Sequence, residues 1–121
     1  MTKTVLIIDD SPTEVGVVKG MLESSGYKVL WAENAAVGIS TAIEKQPDLI
    51  LMDVVMPGMS GFQATRKLKK TPETQQIPIL MLTTKDQRSD EIWGLKMGAQ
   101  KYMIKPPEKQ KLLSTVSELI G

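Results

Sequence analysis

The sequence predicts an open parallel α/β sheet built from five strand–helix units. Three observations predict it. Short apolar runs alternate with stretches of helical period at intervals of roughly 20 to 25 residues, as a βα unit requires. The run Leu49-Ile50-Leu51-Met52 is apolar at every position, as an interior strand covered on both faces must be. Polar signatures then follow four of the apolar runs directly: Asp9-Asp10, Asp53, Thr83 and Lys105. Parallel sheets bind ligands outside the carboxyl ends of their strands, so these side chains should converge on one edge.

The elements follow in order. The first strand covers Thr4–Ile8, and Ser11-Pro12-Thr13-Glu14 opens its helix as a capping box with proline at the first helical position. Val15, Val18 and Leu22 mark the inward face, and Ser25-Gly26 ends the helix. The second strand covers Lys28–Ala32. A helix from about Ala35 should turn Ile39, Ala42 and Ile43 inward until Gln46-Pro47-Asp48 breaks it. The third strand is Leu49–Met52. After the loop Met56–Gly61, Ser60 should cap a third helix that buries Phe62 and Leu68. Thr71–Gln76 reads as a polar connection, and Pro78 begins the fourth strand, where a missing N–H is tolerated. Thr83 follows Ile79–Leu82, Asp86 is the expected cap of the fourth helix, and Gly98 ends it. Trp93 on that helix is expected to pack rather than to make contacts. The fifth strand runs from about Gln100 to Ile104, and the last helix should bury Leu112, Leu113, Val116, Leu119 and Ile120. No linker or low-complexity segment interrupts residues 1–121, which are expected to form a single domain.

Composition excludes several classes of function. At 121 residues the chain can bury one core but not two. Its 41% hydrophobic and 24% charged residues are those of an ordinary soluble globular domain. A net charge of +1, with the lysines spread out, gives no basis for binding nucleic acid through bulk charge. Cysteine is absent, which removes disulfides and thiolate metal sites. Histidine is absent too, which removes the commonest general base, the usual zinc ligand and any phosphohistidine on this chain. Met1-Thr2-Lys3-Thr4 leads into an apolar run too short for a signal peptide, and no run approaches membrane-spanning length. A cytoplasmic location without membrane contact is expected. Eight methionines against one phenylalanine suggest an adaptable core.

Each polar signature alone also fits a turn or a cap. Together they supply what a phosphoryl site needs. Three carboxylates crowded at one edge repel one another unless a cation joins them. A hydroxyl and an ammonium beside them suit phosphoryl oxygens. The residues read as a Mg²⁺ and phosphoryl site.

These signatures are Ile7-Ile8-Asp9-Asp10-Ser11, Leu51-Met52-Asp53 through Gly61, Leu82-Thr83-Thr84 and Lys105-Pro106. In order and spacing they resemble the receiver domain of two-component response regulators, over the whole chain. That resemblance implies a flavodoxin-like (βα)5 three-layer sandwich with strand order 2-1-3-4-5. It implies that Asp53 is the phosphoacceptor and that Mg²⁺ is held by Asp9, Asp10, Asp53 and the Val55 backbone carbonyl. Lys105 would hold a phosphoryl oxygen after a cis peptide bond to Pro106, and Thr83 would bond another. Thr83 and Tyr102 would form the switch, biasing a face of helix four, strand five and helix five toward a downstream protein. The phosphoryl donor would be a histidine kinase. The positions that set phosphoryl lifetime in this family hold Val55 and Lys85, neither suited to orienting water, so self-dephosphorylation is expected to be slow to moderate.

Asp10-Ser11-Pro12-Thr13-Glu14, Gly61–Arg66 and Thr83–Gln87 look like the single-domain regulators of type IV pilus chemosensory systems, which govern twitching motility. That resemblance implies a stand-alone signalling protein, not an enzyme, acting as a monomer or weak dimer. The alternatives are a receiver of another chemotaxis-like or transcriptional pathway, or an aspartate-nucleophile phosphohydrolase. The hydrolase reading is disfavoured because the first-strand aspartates are adjacent instead of alternating. A flavin carrier would need a hydroxyl- and glycine-rich loop after the first strand, which is missing.

Overall fold

Alternating strands and helices appear throughout the computed structural model, which describes residues 2–121; Met1, from the N-terminal lead-in, lies outside the described residues. The elements are β1 (Thr4–Ile8), α1 (Pro12–Glu23), β2 (Lys28–Ala32), α2 (Ala35–Lys45) and β3 (Leu49–Met52), then α3 (Gly61–Lys70), β4 (Ile79–Thr83), α4 (Arg88–Met97), β5 (Lys101–Ile104) and α5 (Lys109–Ile120). All strand pairs are parallel, in the order β2-β1-β3-β4-β5. This is the expected flavodoxin-like sandwich.

Strand periodicity divides the core in two. Side chains alternate across a strand, so Leu6, Ile8, Ile50, Met52, Ile79 and Met81 face α2 and α3. Val5, Ile7, Leu49, Leu51, Leu80 and Leu82 face α1 and α5, meeting Val15, Val18, Leu22, Leu112 and Val116. β3 is buried along its whole length. Burial on both faces is why its sequence shows no alternation.

Several local expectations change. Ile43 is 39% exposed, because α2 meets the sheet along the stripe Ala35, Gly38, Ile39 and Ala42, and Ile43 lies one step beyond it. Phe62 is only partly buried, as are Leu113, Leu119 and Ile120, which leaves Leu112 and Val116 as the fully buried residues of α5. Thr83 is the last residue of β4 rather than the first after it. Asp86 does not cap α4. Gln87 has the extended boundary conformation, and its amide donates to Asp90 Oδ2 at 3.2 Å. Trp93 is 48% exposed, because α4 sinks into the fold only at Gly94 and Met97. The Ser60 cap forms as expected, with Gln63 closing the box.

The start of α3 lies directly against the backbone of Asp53. A Cβ on Gly61 would fall 2.0 Å from the Asp53 carbonyl oxygen, and the Gly61 amide already donates to Val54 O at 2.9 Å. Only glycine permits this approach. Gly61→Ala should therefore push α3 off the end of β3 and cost about 2 kcal/mol or more in urea unfolding. Gly16→Ala, on open helix surface with nothing within 4 Å of an added Cβ, should cost nothing and serves as the control.

Candidate functional site

The ladder of the sheet delivers the site. The Asp9 amide donates to Ala32 O at 3.1 Å, that of Asp53 to Ile8 O at 3.0 Å and that of Lys105 to Thr83 O at 2.9 Å. Each residue thus continues the strand pairing one step past its strand, which fixes its backbone. Asp9, Asp10 and Asp53 each offer an oxygen within 4.8 Å of the others. Asp9 and Asp53 are buried, whereas Asp10 faces solvent.

The donor chemistry suits Mg²⁺. It consists of hard oxygens, with no nitrogen or sulfur ligand among them. Three carboxylate oxygens within 4.8 Å of one another are near enough for side-chain adjustment to bring them onto one ion.

Lys105 reaches this cluster from the end of β5, two strands away from β3 along the same edge. Its Nζ donates to Asp9 Oδ2 at 2.6 Å, lies 3.4 Å from Asp53 Oδ2 and makes a third bond to Glu14 Oε1. The side chain is only 5% exposed. Burial pushes the ammonium pKa down. The bonds to Asp9 and Glu14 and the charge of Asp53 outweigh it, so the net position is above the usual lysine value. Asp53 sits above the usual carboxylate value, chiefly through burial. Lys105 pulls it back, Asp9 pushes it further up, and the Thr83 hydroxyl and Val55 amide lower it. The Val55 amide donates to Asp53 Oδ1 at 3.4 Å, which sets Val55 beside that carboxylate. The peptide bond between Lys105 and Pro106 is cis.

Thr83 and Tyr102 meet through one backbone segment. The buried Thr83 Oγ1 accepts from the Lys85 amide at 3.2 Å, and the Tyr102 hydroxyl donates to the Lys85 carbonyl at 2.7 Å. The Tyr102 ring lies close against α4, 3.0 Å from where a Gly94 Cβ would stand.

Two partners of the site were not legible in the sequence. Glu14 was assigned to the capping box, and its amide does accept that role, donating to Ser11 Oγ at 3.3 Å. The box does not close, because the Ser11 amide donates to Asp9 Oδ1 at 2.9 Å. Asp9, two residues before Ser11, is a nearer acceptor, and that spacing is the signal that frees Glu14. Trp31 donates from its indole N–H to the Asp9 carbonyl at 2.7 Å, a tether across strands that no local pattern announces.

Comparison with known proteins gives a consistent picture. The family described as the response regulator receiver domain matches residues 5–117. Protein PilH of Pseudomonas aeruginosa is 48% identical over 117 residues, covering 97% of each chain. The phosphate regulon transcriptional regulatory protein PhoB of the same species is 37% identical over 98% of this chain, which spans 52% of that protein. Chemotaxis protein CheY4 of Vibrio cholerae superposes with a TM-score of 0.91 at 30% identity, covering 98% of this chain and 99% of that one. The receiver domain of a Pseudomonas aeruginosa sensor histidine kinase, solved with a magnesium ion coordinated in its active site cleft, gives 0.92 at 28% identity, covering 100% and 99%.

Burial, then the charges of Asp90, Glu91, Asp53 and Asp86, push the Tyr102 phenol up to about 12. Folding therefore binds the phenolic proton more tightly than the unfolded chain does, at its ordinary value near 10. The resulting stability is complete below pH 10 and is lost as pH rises toward 12. Absorbance at ~295 nm, where phenolate absorbs, should show one tyrosine ionising near 12 and lose that step in Tyr102→Phe.

Proposed function

Since the chain belongs to the response regulator receiver family, we propose that it accepts a phosphoryl group from a histidine kinase onto Asp53 and relays the change to a protein target. The observation that carries this reading is the meeting of Asp53 with two further carboxylates and one buried ammonium at the strand ends.

The chemistry follows from the side chains. Asp53 is a nucleophile whose basicity is raised by burial, and its Oδ2 already faces Lys105. As its oxygen attacks phosphorus, the P–N bond of the donor phosphohistidine breaks and the electron pair returns to the imidazole. Asp9, Asp10, Asp53 and the Val55 carbonyl would hold Mg²⁺, which when bound neutralises charge on the transferring oxygens. Lys105 would hold one phosphoryl oxygen as a point charge. Among the described residues no histidine is available to position a hydrolytic water, and Val55 and Lys85 offer little else, so the acyl phosphate should decay slowly.

Phosphorylation replaces the single charge of the Asp53 carboxylate with the roughly −1.5 to −2 of an acyl phosphate. Thr83 drawn toward it would give up the Lys85 amide, and Tyr102 is bonded to the same residue. That coupling supports a switch read out on the face of α4, β5 and α5. Among the described residues no helix is long and apolar enough to cross a membrane. We place the protein in the cytoplasm, as a single-domain, non-catalytic, monomeric or weakly dimeric regulator without nucleic-acid contacts. The likeness to PilH, over nearly the full length of both chains, supports a chemosensory pathway controlling type IV pili.

Incubation with acetyl phosphate and Mg²⁺, followed by intact mass measurement, tests the biochemical core. The parent should gain one phosphoryl group and lose it slowly. Asp53→Asn should gain none. An unmodified parent, or a modified Asp53→Asn, would refute the assignment.

A further inference from the structure

Lys105 has three N–H donors, and three carboxylates take them: Asp9, Asp53 and Glu14. An arriving phosphoryl oxygen needs one of these donors. Asp9 and Asp53 have little freedom to swing out into solvent, because their backbones are held in the sheet ladder and their side chains are only 6% and 8% exposed. Glu14 differs on every count. Its side chain is 46% exposed, so it keeps much of its hydration while paired and is readily solvated when it lets go. The capping role that would have held it is filled by Asp9 on the Ser11 amide. Glu14 and Lys105 also line one side of an open groove of about 200 Å³ together with Val17 and Pro107, which leaves the carboxylate room to swing.

We infer that Glu14 is a positioning residue that occupies Lys105 in the resting state and yields it to the incoming phosphoryl group. This rests on Asp53 being the acceptor. Glu14 steadies the ammonium against its neighbours before the reaction, and its negative charge stands against any anionic donor approaching the same site. Removing that charge should therefore speed phosphorylation, and more so for a donor of higher charge. One unit charge at about 6 Å in a water-like dielectric alters the approach of a monoanion about threefold and of a dianion about tenfold.

The test compares the parent with Glu14→Gln, using acetyl phosphate as the dianionic donor and phosphoramidate as the monoanionic one, each with Mg²⁺ at pH 7. Folding is not at stake, because the Ser11 cap uses the Glu14 backbone amide. Thermal unfolding of both proteins checks this. The variant should gain about tenfold with acetyl phosphate and about threefold with phosphoramidate, the difference shrinking at high salt. Beryllofluoride, a phosphoryl mimic, should bind the variant several-fold more tightly in an NMR titration. A merely structural role for Glu14 would move both donors alike. Equal gains, no gain or weaker beryllofluoride binding would overturn the inference while leaving Asp53 as the acceptor. A parent that takes phosphoryl from neither donor would overturn both.

Discussion

Mutual repulsion of carboxylates that the backbone will not let separate is the constraint on which the rest of this structure depends. The strand register sets Asp9 and Asp53 side by side, each hydrogen-bonded to the strand next to it. Two buried carboxylates within 4.8 Å of each other are costly in a low dielectric unless a cation joins them. Lys105 meets that need in the structure, and the clustered oxygens of Asp9, Asp10 and Asp53 are the hard ligands that a divalent ion would take. A site held this way has a strong appetite for positive charge. It also has a poised response when more negative charge arrives.

The fold divides into a rigid and a yielding part. The rigid part is the sheet centre, where β1, β3 and β4 are buried on both faces and Gly61 lets α3 press directly on the Asp53 carbonyl. The yielding part is the exposed chain that follows, Thr84 and Lys85, tied to the site by the Thr83 hydroxyl and to β5 by the Tyr102 phenol. Next to it, α4 exposes Ile92, Trp93 and Leu95 while touching the sheet through Gly94. Hydrogen bonds through Lys85 thus link Thr83 and Tyr102 to a surface with few buried contacts, which is what the proposed two-state output requires.

Much of this was legible in the chain. The apolar runs predicted all five strands to within a residue, because the strand period and the complete burial of β3 leave little choice. Helix ends were read correctly where one residue decides them, as at Ser60 and Gly98. The failures have separate causes. Ser11 had a choice of Asp9 or Glu14, and the tertiary site took Glu14 away. The α4 cap falls at Gln87, one residue later than the expected Asp86, and the Gln87 amide donates to Asp90. Ile43 and Trp93 went wrong because periodicity gives a helix's apolar stripe but not where the sheet beneath it ends. The carboxylate cluster and Lys105 could be placed at one edge from sequence, whereas the bonds joining them required coordinates.

The most direct test of the charge argument is a Mg²⁺ titration of the unmodified protein at constant ionic strength, followed by amide NMR shifts. The account predicts single-site saturation centred on Asp9, Asp53 and Val55, weakened at least tenfold by either Asp10→Asn or Asp53→Asn. Equal Mg²⁺ binding by parent and variants, or shifts centred elsewhere on the molecule, would contradict it.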